Sequence, residues 1–170
     1  DAAPPAQAAT AGGDPTAVAQ RTYPTDAFKI RLPADWKPKC IEEQGTCAGQ
    51  ALQGDQYRSA WSKGGGSSAL TLVIDRTPLG DSISHVSLSE LVGGVDDTFA
   101  TSLPGYERGK LSKAPKGART FSFTSEANPP AGTVFVFKHE QDVYVITGTG
   151  PDPGSARAAA QLAIESLKPA

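Results

Sequence analysis

The sequence predicts an α+β protein, a three-layer α/β/α sandwich in which helices flank a central, mostly antiparallel sheet. Strand patterns dominate the chain, and two amphipathic helices are expected, one after residue 87 and one over residues 155–168. Residues 133–138 and 143–147 are apolar on both faces, which is typical of central strands that are covered on both sides. A helix layer on each side of the sheet satisfies both observations.

The composition favours one globular domain and excludes two classes of partner. The chain has 170 residues, of which 38% are hydrophobic and 20% charged, and its net charge is −2. This near-neutral balance provides no basic footprint for nucleic acid or for anionic lipid. No apolar run approaches the roughly 18 residues of a membrane span.

The N-terminal half shows strands and one hairpin. Residues 28–32 alternate apolar and charged side chains and end at Pro33. Residues 56–61 and 69–74 read as two strands joined by the glycine turn 64–66. The same glycines resemble a phosphate loop, but no Gly-Lys-Ser/Thr and no helix follow them.

The helices and the remaining strands complete the sandwich. Ser87 and Glu90 have capping-box spacing at the start of the first helix, which Gly93-Gly94 should weaken. Strands are also predicted at 106–111 and 119–124. The apolar stripes of the two helices comprise Leu88, Leu91, Val92, Val95, Phe99 and Leu103, and Ala156, Ala159, Ala160, Ala163, Ile164 and Leu167.

The cysteines and the N-terminus suggest export. Cys40 and Cys47 lack both the second ligand pair of a zinc site and the C-x-x-C spacing of a redox motif. We expect a disulfide between them, with two unpaired thiols as the alternative. Residues 1–22 include eight Ala and three Pro, and we expect a flexible linker there. The absence of Met leads us to expect a removed signal peptide.

Several segments resemble PsbP-like domains. The order of elements is similar to the family pattern. The segments that also resemble it are Tyr23-Pro24, the stretch from Phe28 to Trp36, the last strand from Tyr144 to Gly148 and the ending Ser166-Leu167-Lys168. The family contains extrinsic photosystem II subunits, a Ran GTPase release factor and bacterial envelope lipoproteins such as LpqN and DcrB. The resemblance covers about residues 23–168 and implies a single PsbP-like domain over 23–170 that mediates interactions without catalysis.

No catalytic or metal-binding constellation stands out in the sequence. His85 and His139 lie outside any nucleophile motif, and their neighbouring carboxylates are too few for a confident metal site. Adjacent Asp96 and Asp97 point about 100° apart on a helix. We therefore expect no enzyme, cofactor or metal; the alternative is a metal-dependent or hydrolytic enzyme with an unrecognised site.

The candidate binding residues lie around the predicted hairpin. Aromatic and arginine side chains often anchor interfaces, and the segments left uncovered by the helices carry several. An equally open interpretation is that the two tryptophans close the core. The binding candidates are Trp61, Tyr57, Arg58, Trp36, Arg76 and His85, with Asp75 nearby.

The sequence favours an extracytoplasmic monomer. It would bind an envelope protein or a small ligand and reach a membrane through an upstream lipid anchor, with plain secretion as the alternative. A basic run, Lys110, Lys113, Lys116 and Arg119, suits an acidic partner or lipid headgroups, but such runs are also common in solvated turns.

Overall fold

The computed structural model describes residues 19–24, 27–39, 50–51 and 57–170. The predicted Cys40–Cys47 disulfide and residues 1–18 of the predicted linker lie outside these ranges, so both stay predictions. The described strands and helices are β1 (Gln20–Pro24), β2 (Phe28–Pro33), β3 (Lys37–Lys39), β4 (Gln50–Ala51), β5 (Tyr57–Lys63), β6 (Leu70–Pro78), α1 (Leu88–Ser102), β7 (Glu107–Arg108), β8 (Ser112–Lys113), β9 (Arg119–Thr124), β10 (Ala131–His139), β11 (Asp142–Gly150), α2 (Pro153–Ser166) and β12 (Lys168–Pro169).

The main sheet has the predicted antiparallel character. Its strands follow the order β3-β5-β6-β11-β10-β9-β7, with β4 beside β5 and β8 beside β9. The predicted glycine-turn hairpin is β5–β6, in which Trp61 lies opposite Leu72. The doubly apolar segments form β10 and β11, which pair with each other in the middle of the sheet. The predicted α+β architecture is confirmed.

One face of the main sheet packs against α2 and a small second sheet. The buried alanines of α2 lie on large side chains from β6, β10 and β11. Phe28, Ile30 and Leu32 of β2 join the same core. The second sheet has the order β1-β2-β12, and the Ser166 hydroxyl fastens it to α2 by donating to the Arg31 carbonyl at 2.8 Å.

The opposite face packs mainly against α1, with Leu79, Ile83, Tyr106 and Leu111 from the adjoining loops at its margin. The predicted stripe of α1 contacts Phe121, Phe123, Val134, Val136 and Val143, which come from β9, β10 and β11. A row of seven strands is about 29 Å wide, whereas a helix with its side chains is about 10 Å across. Among the described residues, one helix therefore covers β9 to β11 and leaves the same face of β5 and β6 open.

Some boundaries differ from the sequence analysis. Residues 20–22, which we assigned to the linker, begin β1 and pair with β2. Segment 106–111 does not form one strand; it gives only the two-residue strand β7, which is followed by an irregular stretch along β9. Helix α2 begins at Pro153, earlier than predicted, because the Asp152 carboxylate caps it by accepting from the Ser155 N–H at 2.9 Å. The predicted capping box of Ser87 and Glu90 is present at the start of α1.

Candidate functional site

An open groove of about 510 Å³ lies where α1 leaves the sheet uncovered. Its floor comes from β5, β6 and β11, and its wall comes from α1. The lining residues are Tyr57, Arg58, Val73, Asp75, Arg76, Thr77, Val95, Thr98, Phe99, Val145 and Thr147. We call this cavity the α1 groove.

The floor of the α1 groove follows from strand alternation. In β6, Leu72 and Ile74 point into the buried core on the α2 side, so Val73 and Asp75 point to the other face. In β11, Thr147 lies opposite Val73 and Val145 lies opposite Asp75 in the sheet register. These floor residues are half-buried, because no second helix covers them.

The wall of the α1 groove is held by an aromatic cluster at the end of α1. The Phe99 ring lies 4.9 Å from the Phe123 ring, and Tyr106 lies 5.5 Å from Phe123. The Tyr106 hydroxyl donates to Asp96 of α1 at 2.6 Å. Burial, followed by this hydrogen bond to a carboxylate, raises the pKa of Tyr106. This cluster fixes the position of Phe99 beside the sheet.

An ion pair lies inside the α1 groove. Arg58 Nε donates to Asp75 Oδ1 at 2.5 Å across neighbouring strands. Both side chains are only about a quarter exposed, at 29% and 25%. Burial raises the pKa of Asp75, and the hydrogen bond and charge of Arg58 oppose that rise. The pair places a charge-assisted hydrogen bond beside the apolar floor.

Arg76 and Tyr57 also line the α1 groove, although strand alternation directs their side chains toward the α2 side of the sheet, where Tyr57 packs against the core. The Arg76 guanidinium carbon lies 4.5 Å from the centre of the Tyr57 ring, which is a cation–π distance. Arg76 also lies 3.5 Å from Asp142. Each groove arginine therefore has a carboxylate partner, and the two pairs together carry no net charge.

A solved structure shares the fold of this chain. The solution structure of cyanobacterial PsbP (CyanoP) from Synechocystis sp. PCC 6803 superposes with a TM-score of 0.56 at 8% identity, covering 93% of this chain and 96% of that one. The fold is PsbP-like. The predicted resemblance is thereby confirmed at the level of fold.

Two further structures match less closely. LpqN, involved in cell envelope biogenesis of Mycobacterium tuberculosis, gives a TM-score of 0.49 at 12% identity, covering 89% of this chain and 90% of LpqN. A Pseudomonas aeruginosa protein of unknown function gives 0.45 at 14% identity, covering 82% and 87%. No protein-family model matches the sequence, and no curated protein matches it.

The PsbP-like domain brings together half of the predicted binding residues. Tyr57, Arg58, Arg76 and Asp75 all line the α1 groove, but only Arg58 and Asp75 point to its face of the sheet, since Tyr57 and Arg76 alternate to the α2 side. The assignment of Trp36 and Trp61 as contacts is wrong, since they are 1% and 0% exposed in the core on the α2 side. Both tryptophans close the core, as the alternative interpretation held.

The histidines lie away from the α1 groove. His85 is exposed after the turn at Gly80–Ser84 and does not line the cavity. His139 Nε2 lies 4.0 Å from Glu140. Within the described ranges, no three or more His, Cys, Asp or Glu side chains gather as a metal site would require. The same ranges contain no helix long and apolar enough to cross a membrane.

Sequence reasoning missed the apolar part of the groove. Val95 and Phe99 were assigned to a packed helix stripe, and strand 143–146 was expected to be covered on both sides. The structure leaves Val145 half-buried at the floor. The number of helices could have indicated the groove, because the two helices that the sequence predicts cannot cover both faces of a wide sheet.

Proposed function

We propose that this chain is a non-catalytic, extracytoplasmic PsbP-like domain that binds an uncharged, largely apolar small ligand in the α1 groove. The observation that carries the proposal is the open half of the sheet beside α1, where an apolar floor lies next to paired charges. A volume of about 510 Å³ falls within the usual range of small-molecule sites.

The charges of the α1 groove favour a neutral ligand. Arg58 is paired with Asp75, and Arg76 with Asp142. A charged ligand would have to break one of these pairs, which costs free energy when one partner stays buried. A neutral ligand leaves both pairs intact and gains from burial against Val73 and Val145.

The polar atoms of the α1 groove supply orientation. Thr147 places a hydroxyl group at the floor, beside the Arg58–Asp75 pair. Few polar groups among apolar walls are typical of sites that orient a small molecule. The ligand class is therefore an apolar body with one or two hydroxyl or carbonyl groups.

The extracytoplasmic location is supported by residues outside the groove. A disulfide between Cys40 and Cys47 would close a loop of eight residues. Disulfides persist in oxidising compartments. Residues 1–18 are rich in Ala, Pro and Gly, as in a tether. A lipid anchor upstream of this tether is part of the proposal.

The test uses the neutral fluorescent probe N-phenyl-1-naphthylamine, excited where tryptophan does not absorb. Thr98 and Thr101 are both exposed on α1, and each hydroxyl donates to the carbonyl four residues earlier at 2.9 Å. Thr98 lines the groove, whereas Thr101 does not. Thr98→Trp fills the groove, and Thr101→Trp is its matched control.

We expect the probe to bind the unmodified protein and the Thr101→Trp variant equally. Thr98→Trp should weaken binding by about tenfold or more, since each 1.4 kcal/mol of lost contact is tenfold in affinity. Equal binding to all three proteins would place the probe elsewhere and refute the proposal. If the probe does not bind and Thr98→Trp abolishes the binding of a partner protein, the α1 groove is a protein-binding site and the proposal of a small ligand is wrong.

A further inference from the structure

A second cavity, of about 450 Å³, lies on the opposite face and at the opposite edge of the sheet. It is bounded by α2, by β9 and β10, and by the segment that follows β7. The cavity exists because one helix is too narrow to cover this face of the sheet. Among the described residues, α2 packs mainly on β6, β10 and β11, so part of this face of β9 is left open. We call this cavity the β9 pocket.

The rim of the β9 pocket is basic. Lys110 and Lys113 come from the segment beside β9, and Arg157 comes from α2. None of the three is within ion-pair distance of a carboxylate in the described part of the chain. Among the residues that the structure describes, no Asp or Glu lines the pocket. This arrangement contrasts with the α1 groove, where the arginines are paired.

The basic rim is attached to the sheet and is not a free loop. The Gly109 N–H donates to the Ser122 carbonyl at 2.6 Å. Strand β8 pairs with β9, with Ser112 opposite Thr120 and Lys113 opposite Arg119. These bonds hold the backbone on both sides of Lys110 against the edge of the sheet.

The floor of the β9 pocket combines hydroxyl groups with apolar surface. Ser122 Oγ and Thr133 Oγ1 lie 2.9 Å apart, and Thr133 is 1% exposed. Since only one of the two hydroxyl hydrogens is used between them, the pair keeps a donor for a ligand oxygen. Phe135 and Ile164 provide the apolar part of the lining.

We propose that the β9 pocket binds a small organic anion. Its phosphate or carboxylate group contacts Lys110, Lys113 and Arg157, and its uncharged body lies against Phe135 and the Ser122–Thr133 hydroxyl pair. The three unpaired cations select the anion by charge complementarity. The hydroxyl floor lies below the rim, with Thr133 buried, and favours a small molecule over a membrane surface, which would contact only the exposed rim.

The test is a titration of the ¹⁵N-labelled full chain with phenyl phosphate, followed by amide chemical shifts. Lys113→Gln removes one rim charge, and Lys29→Gln removes a lysine that is equally exposed on β2, outside the pocket. We expect shifts around Ser122 and Thr133 and an affinity about tenfold lower for Lys113→Gln, as for the loss of one charge-assisted contact. Lys29→Gln should bind as the unmodified chain does.

Each alternative result overturns the proposal. Equal losses in the two variants would indicate non-specific attraction, and shifts outside the β9 pocket would place the anion elsewhere. Inorganic phosphate that binds as tightly as phenyl phosphate would remove the role of the apolar floor. Phosphatidylglycerol vesicles that displace phenyl phosphate would assign the pocket to a membrane surface. Because Lys113→Gln leaves the α1 groove unchanged, failure here is separable from failure of the proposed function.

Discussion

Gly148 lies where α2 crosses the central strand β11, and a side chain there should push the helix away. A Cβ at Gly148 would lie 2.6 Å from the Ala156 carbonyl oxygen, 2.6 Å from the Ala160 nitrogen and 3.0 Å from the Ala160 Cβ. Two of these atoms are backbone, so no rotamer change relieves the clash. The helix must withdraw by about 1 Å to restore ordinary contact, and a gap of this size forfeits a quarter to a half of the dispersion energy of the atoms facing it.

We therefore expect Gly148→Ala to lower the free energy of unfolding by about 3 kcal/mol, at the upper end of the usual cost of overpacking. For a chain of this size this corresponds to a fall in Tm of about 6–12 °C. The matched change is Gly94→Ala in α1, where a Cβ meets no atom within 4 Å. That variant should gain about 0.5–1 kcal/mol from helix propensity.

The assay is denaturant unfolding of both variants beside the unmodified protein, followed by circular dichroism. Opposite signs for the two Gly→Ala changes are the expected result. A Gly148→Ala protein as stable as the unmodified one would show that α2 does not pack on β11 at the distance described, and the account of the core on that face would fail.

Three further predictions concern charge, capping and oxidation. Because the pKa of Asp75 is raised in the folded chain, the folded state binds the carboxyl proton more tightly than the unfolded state does. The contribution of Asp75 to stability therefore falls as the pH rises from the pKa of an unfolded aspartate through the raised pKa. Asp75→Asn should remove this part of the decrease in the free energy of unfolding with rising pH. An unchanged slope of that free energy against pH contradicts the prediction. Ser87→Ala should cost about 1 kcal/mol, measured by denaturant unfolding; a change near zero contradicts a stabilising cap. Thiol titration of the unreduced, denatured protein should find Cys40 and Cys47 unreactive, and two reactive thiols would exclude the disulfide.

The regular elements were largely predictable because their signals are local. The alternation in residues 28–32 and the capping box at Ser87 each depend on neighbours within a few positions, and both appear as expected. Strand β1 and the small second sheet were missed, since the pairing of residues 20–24 with β2 depends on a partner segment and not on a strong pattern of their own. The same holds for β12, which forms only because Lys168 lies beside Lys29.

The candidate site was predictable only in part, because exposure is a property of packing. The residue types at positions 57, 58 and 76 pointed to the correct edge of the sheet. The same reasoning selected Trp36 and Trp61, since a large aromatic residue has the same pattern whether it covers a core or contacts a partner. Which face of β5 is covered depends on where α1 lies, and no local pattern sets that position.

The central claim is that the sheet face beside α1 is open and binds a ligand between α1, β6 and β11. The most direct measurement is the amide chemical shift of the ¹⁵N-labelled chain on addition of N-phenyl-1-naphthylamine. We expect the shifted amides to cluster around Val73, Phe99 and Val145. Shifts confined to the opposite face of the sheet, or no shifts at saturating probe, would contradict it.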